Sequence, residues 1–274
     1  MLRRRCRPVV LLLAMVAGAP TATAATPDAD ALAKRFQSQQ RAATQYQLRI
    51  LDAAEANDPA QLDDAQAVQL LGAITDQRGL LDEPQYHAGD LQTLMTVCGT
   101  AQQSLEQLLL FGIPQTRSIR QLQSAQLEQV KRNAERFQAQ QALLLPFGMR
   151  CMAHTHPLLE QTLASQPADS LPIQAREGLA TMRAGVQRLF AGALTTIEPH
   201  DGVPAANPAL RQALVQAIAD TAPAYARALP LPQRAKIAAQ LSMALGRAST
   251  EEKALLQPAL AAFGSAECVA LCQR

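Results

Sequence analysis

Five side chains able to hold a soft metal ion crowd one short stretch: Met149, Cys151, Met152, His154 and His156. Thioether, thiolate and imidazole donors in that company suit Cu(I), or Zn(II) through the cysteine and histidines. The spacing sets a condition. Residues two apart on a regular helix point roughly 200° away from each other, so His154 and His156 reach one ion only from a looped or extended segment. Pro146 and Gly148 before the cluster and Pro157 after it make such a segment available, because Pro ends a helical ladder and turns its predecessor away from helical geometry. The structural reading takes precedence: methionines are ordinary packing in a Leu-rich core, and the stretch lacks the ligand number and spacing of a closed site. The expectation is therefore no cofactor, with copper or zinc at this cluster as the alternative.

The other chemistry-bearing residues are the cysteines, and their reading depends on destination. Arg3, Arg4, Arg5 and Arg7, an apolar run from Val9 to Ala19, and Ala22-Thr23-Ala24 have the order of a secretory leader cleaved after Ala24. That run is about half of the roughly 20 residues needed to cross a bilayer, so no stable membrane anchor is expected. Loss of residues 1–24 removes four arginines and no acid, turning the formal net charge of +2 into −2. Such a mature chain has no electrostatic footprint for nucleic acid or an acidic membrane. Export leaves Cys98, Cys151, Cys268 and Cys272, an even number in an oxidising compartment, where disulfides are the default. If the last two bond each other, Cys98 and Cys151 pair by elimination. Two straight antiparallel helices joined at Gly112-Ile113-Pro114 put Cys98 level with about Glu128, so that bond demands a fold-back at Pro146. Cys268 and Cys272 are four apart, and closing them requires an irregular last turn.

Catalytic signatures are missing from the sequence. The four histidines, at 87, 154, 156 and 200, come with no Gly-x-Ser-x-Gly, His-Glu-x-x-His or phosphate-cradling loop. Glu198-Pro199-His200-Asp201 sets two carboxylates beside an imidazole but reads as a solvated turn, and Asp63-Asp64 as first-turn acids favoured by a helix dipole. No enzyme is expected.

The elements that position these residues read as helices throughout: Ala, Leu and Gln abound, Trp is absent, and no run of alternating β-branched residues stands out. Helices are expected from Asp28 to about Asn57, from Asp58-Pro59 toward Gly79, and from Asp90 to Gly112. A long seam from Gln115 to Leu145, carrying Ile119, Leu122, Gln126, Val130, Asn133, Phe137, Gln141 and Leu144, ends at Pro146. After the polar stretch Ser165–Asp169 come Pro172–Glu198, a helix from Asn207-Pro208 bent or broken at Pro223, one that follows the separator Leu229-Pro230-Leu231-Pro232 and runs through Leu245, and one started by the capping box Ser249/Glu252 and kinked at Pro258. The hexapeptide Arg35–Gln40 returns as Arg136–Gln141. It reads as a chance echo that could set Phe36 beside Phe137.

The fold expected is all-α: an elongated antiparallel helical bundle over residues 25–166, then a smaller C-terminal helical part over 167–274. The function expected is a non-catalytic interaction or scaffold role in the cell envelope, periplasmic or secreted, using Gln-rich helical seams to meet a protein partner or a second copy.

Overall fold

The structure, a computed structural model, describes residues 27–78, 80–81, 86–113, 124–164, 171–198, 205–265, 267 and 272. The expected leader, the loop around Pro84, residues 114–123 of the expected long seam, the Ser165–Asp169 stretch, the expected turn with His200 and Asp201, and Cys268 lie outside those residues. Among the described residues the secondary structure is helical without a strand, as the composition predicts.

Helix α1 (Pro27–Glu55) buries Phe36, Ala43, Tyr46, Ile50 and Ala53 along one stripe. It starts before Asp28, the predicted cap. It ends where Asn57 takes a left-handed φ of 51°, a conformation Asn tolerates, and the chain turns into a 3₁₀ turn, Pro59–Leu62, capped by Asp58. Helix α2 (Ala65–Ile74) is shorter than predicted because Asp64 restarts the chain, its carboxylate accepting from Ala67 N–H at 2.9 Å. Helix α3 (Leu91–Leu109) runs toward Gly112, whose φ of 72° needs a residue without Cβ. Helix α4 (Ser124–Arg136) and helix α5 (Gln138–Ala164) meet at Phe137, an irregularity and not a gap. Phe137 N–H still donates to Asn133 C=O, and Gln141 N–H to Phe137 C=O, both at 2.9 Å. Then follow α6 (Ile173–Ile197), α7 (Pro208–Ala228), α8 (Leu231–Arg247) and α9 (Thr250–Ser265). The predicted capping box forms in both directions: Ser249 N–H donates to Glu252 at 2.9 Å, and Glu252 N–H to Ser249 Oγ at 3.2 Å.

The predicted stop at Pro146 is overturned, while Pro223 and Pro258, expected to bend or break one helix and to kink another, do not end theirs. Pro146 and Pro157 both lie inside α5, Pro223 inside α7 and Pro258 inside α9. An interior proline costs about 3 kcal/mol. Against that, α5 buries Leu144, Phe147, Met149, Cys151, Leu158 and Leu163, and a fully buried large apolar side chain contributes roughly 1.5–3 kcal/mol. Several such side chains outweigh two prolines. The fading of one-sided periodicity past Leu145 marks a helix buried on more than one face, not the end of a helix.

Two main apolar clusters lie on either side of α5. One gathers α1, α2, α3 and the Leu144, Phe147, Cys151 and Leu158 positions of α5; the other gathers Met149 with α6, α7, α8 and α9. Helices α3 and α4–α5 run antiparallel, for Asn133 reaches the end of α3 while Cys151 reaches its first half. Helices α5 and α7 run parallel: Gln138 bonds Ala205 and Asn207, Arg150 pairs with Asp220, and Glu160 with Arg227. Leu163 and Leu171, on either side of residues 165–170, share a small apolar cluster with Leu179 and Ala228. Phe137 meets Phe111 edge-on at 5.5 Å, and α1 packs on α2 and α3.

The polar seam residues have a specific use. A helix leaves its last carbonyls without partners. Here side chains from neighbouring elements fill many of those places. Gln39 donates to Ile74 C=O at the end of α2, and Asn133 donates to Leu109 and Phe111 C=O at 2.9 and 2.8 Å after α3. Gln141 donates to Ala134 C=O at 2.6 Å, and Arg211 to Ile197 C=O at the end of α6. Asn133→Ala removes two of these bonds at a buried position and is expected to cost about 2 kcal/mol, read as a lower urea midpoint with an unchanged slope. The exposed Lys131→Ala should stay within about 0.5 kcal/mol of the parent. Equal midpoints for the two variants would mean the carbonyls find other donors.

Candidate functional site

The Met149–His156 stretch is one continuous piece of α5, so its side chains leave the helix in different directions. Cys151 faces α3 and is bonded to Cys98, with Cα atoms 5.6 Å apart. The bond needs no fold-back at Pro146. Asn133 reaches the carbonyls of Leu109 and Phe111 at the end of α3, so the antiparallel partner brings Cys151, and not Glu128, level with Cys98. Both cysteines are buried. Met149 is buried in the opposite cluster, and its carbonyl accepts from Tyr225 Oη at 3.1 Å. Met152 is half-buried between the two clusters. His154 meets Tyr86 edge-on, ring centroids 6.2 Å apart. His156 turns toward α7 and lies edge-on to Tyr225 at 5.1 Å.

The five candidate ligands are thus not brought together: one sulfur is in a disulfide and the two imidazoles face different neighbours. Among the described residues no group of three or more His, Cys, Asp or Glu side chains is placed to hold a metal ion. The space beside the disulfide, lined by Cys98, Leu144, Gly148, Met152 and Leu189 among others, measures about 10 Å³, the scale of one water. A wider depression of about 450 Å³ lies on α4 against Gln129, Arg132, Asn133, Glu135 and Arg136.

His156 is the most perturbed group of the cluster. Its Nδ1 lies 3.2 Å from Ala224 C=O, a contact that requires the proton on Nδ1 and leaves Nε2 as a bare acceptor. Nε2 is buried without a hydrogen-bond partner. Burial disfavours the imidazolium and pushes the pKa down to about 4, against a smaller upward pull from the Ala224 bond. The imidazole is therefore a neutral packing element of the α5–α7 contact. Two tyrosines are held protonated in similar fashion. Burial and Asp90 push Tyr86 up to about 12, and burial alone raises Tyr225.

Among the described residues the other sequence candidates have structural partners. Asp64 caps α2, while Asp63 accepts from Gln140 Nε2 at 2.8 Å. Glu198 is buried and lies 3.8 Å from Arg247. Cys272 is disulfide-bonded, to a cysteine outside the described residues. Sequence reasoning missed Tyr86, Tyr225, Arg183 and Arg234; none has a spacing signal, since each gains its role from a helix distant in the chain. Among the described residues no helix is long and apolar enough to cross a membrane. Compared with protein-family models, curated proteins and solved structures, the chain matches none.

Two outcomes test this arrangement. Above about pH 6.5 His156 is neutral folded or unfolded, and its full contribution is present. As pH falls toward about 4 only the unfolded chain takes the proton, so stability drops by about 1.4 kcal/mol per unit across that window, roughly 3 kcal/mol in all. Urea midpoints at pH 7, 5.5 and 4.5 should show this limb in the parent and a flatter one in His156→Gln; parallel limbs would place the imidazole in water. Cys98→Ser/Cys151→Ser opens a crosslink spanning 53 positions and should lose about 4 kcal/mol, measured as a fall in Tm.

Proposed function

We propose that this chain is an exported, disulfide-stapled helical protein of the cell envelope that works by binding another protein and not by catalysis. The bond between Cys98 and Cys151 carries the reading. Paired, buried cysteines joining two helices suit an oxidising compartment, and the basic, apolar and small-residue segments of residues 1–24 suit the route to one. Cys272 in a second disulfide supports the same destination.

The surface for a partner is not the Gln-rich seam, because Gln39, Asn133, Gln138, Gln140 and Gln141 are buried and bonded within the chain. Exposed apolar side chains elsewhere take that place. Ile173 is 71% exposed and Leu231 70%, and they open α6 and α8. Those helices run side by side in the same direction, since Arg247 near the end of α8 pairs with Glu198 just past α6. Both apolar side chains therefore sit at one end of the bundle, where a protein partner removes them from water. Their exposure and their place at the starts of adjacent helices support this choice of surface.

Fractionation of the producing cells should recover the processed chain outside the cytosol with its thiols blocked. Crosslinking of the mature chain to envelope extract should give a discrete adduct that Ile173→Ser/Leu231→Ser weakens at least several-fold, with circular dichroism unchanged. A cytosolic, reduced chain defeats the export reading. An adduct indifferent to the double variant defeats the choice of surface, and a concentration-dependent dimer in sedimentation replaces the foreign partner with a second copy.

A further inference from the structure

Neither sulfur of the Cys98–Cys151 bond is open to solvent in the packed protein. Cys98 is 1% exposed and Cys151 0%, and both belong to the apolar cluster that α1, α2 and α3 form with α5. Cys151 Sγ lies 4.0 Å from the Leu94 carbonyl oxygen, whose partial negative charge opposes a thiolate there. The crevice beside Cys98, lined by Leu105, Leu144, Met152 and Leu189 among others, measures about 10 Å³, the scale of one water, so no thiol or disulfide reagent fits it. Thiol–disulfide exchange passes through a mixed disulfide, in which the reagent is bonded to one of the two cysteines. The docked helices leave no place for that reagent.

The same burial fixes when the bond is made. We infer that the Cys98–Cys151 bond is supplied by a disulfide donor that meets the chain before α3 docks on α5, and that docking then closes the bond to exchange in either direction. One cysteine, its proton given to solvent, attacks a sulfur of the donor as thiolate. A mixed disulfide forms, and the donor's other sulfur leaves with the bonding electrons and takes up a proton. The second cysteine, ionised in the same way, attacks the cysteine sulfur of the mixed disulfide as the two helices approach. The Cys98–Cys151 bond forms, and the donor's remaining sulfur leaves with the electron pair and is protonated. Two cysteine thiols have been oxidised and one donor disulfide reduced to two thiols. Docking favours the second attack, because it brings the two Cα atoms to 5.6 Å and displaces the donor from a place it cannot share. The inference deepens the export reading, since the unpacked chain needs such a donor where it folds. Its test uses purified chain, so a wrong compartment leaves the outcome untouched.

The first arm of the test reduces the oxidised mature chain with dithiothreitol in urea too dilute to unfold it, quenches with iodoacetamide and maps Cys98 and Cys151 by peptide mass. The bond should open roughly a thousandfold or more slowly than in fully unfolded chain at the same dithiol concentration and pH. That rate should climb steeply with urea, because only opened molecules react. A rate within about tenfold of the unfolded chain's, or one indifferent to urea, overturns the inference. The second arm refolds the reduced chain in two orders. Oxidised glutathione present from the start should close Cys98–Cys151, whereas the same reagent added after circular dichroism has recovered should close it roughly a hundredfold more slowly. Equal rates in the two orders overturn the inference as well. If the reduced chain does not fold, the first arm decides alone, since it uses only the oxidised protein.

Discussion

Everything in this fold depends on α5 staying a single helix while it buries opposite sides against different neighbours. On one side it meets α3 through Cys151, Leu144 and Phe147. On the other it meets α7 through Met149, His156 and Arg150. Each contact alone would leave half of an apolar helix in water. Together they hold the backbone helical through Pro146 and Pro157, because straightening or breaking it would expose both clusters at once. The Cys98–Cys151 bond then fixes the register of α3 against α5, and the run of polar pairs from Gln138–Asn207 to Glu160–Arg227 fixes that of α7.

A second constraint follows from having many helices in a chain of this length: each ends in carbonyls that need donors. Long amide and guanidinium side chains meet that need from neighbouring elements, as Gln39 does for α2, Asn133 for α3 and Arg211 for α6. Part of the Gln content therefore serves the interior, where Gln39, Gln138, Gln140 and Gln141 are buried and bonded within the chain. It also gives the seams a polar character that, read from spacing alone, resembles a wet contact face. The partner surface proposed above therefore lies away from those seams, where α6 and α8 begin.

The ionisable groups divide along the same lines. Arg150–Asp220 and Arg211–Glu252 tie α7 to α5 and α9 at the rim of the core, where partial exposure keeps an ion pair modest in worth. Inside, His156, Tyr46 and Tyr225 are held neutral by burial. Arg234 is a buried guanidinium whose Nη2 lies 3.7 Å from Cys272 Sγ. Placing it beside Cys272 gives the C-terminal disulfide surroundings unlike those of the first.

By itself the sequence determined the helical class, most element positions and several of their starts. Asp58, Asn207 and the Ser249/Glu252 box are caps whose bonds lie within a few residues, so local chemistry suffices to place them. The pairing of Cys98 with Cys151 was reachable by elimination, though its register was not, because the contact of Asn133 with the end of α3 that sets it joins residues far apart in the chain. Tertiary structure alone decided the rest. Whether Pro146 ends a helix depends on how much apolar surface neighbours bury around it, and that surface comes from α3 and α7, far away in the chain. The same distance separates His154 from Tyr86, His156 from Ala224, and Arg234 from Cys272. A motif reader sees side chains in the order of the chain, whereas a helix sends residues two apart to opposite sides, and what each meets there is set by packing.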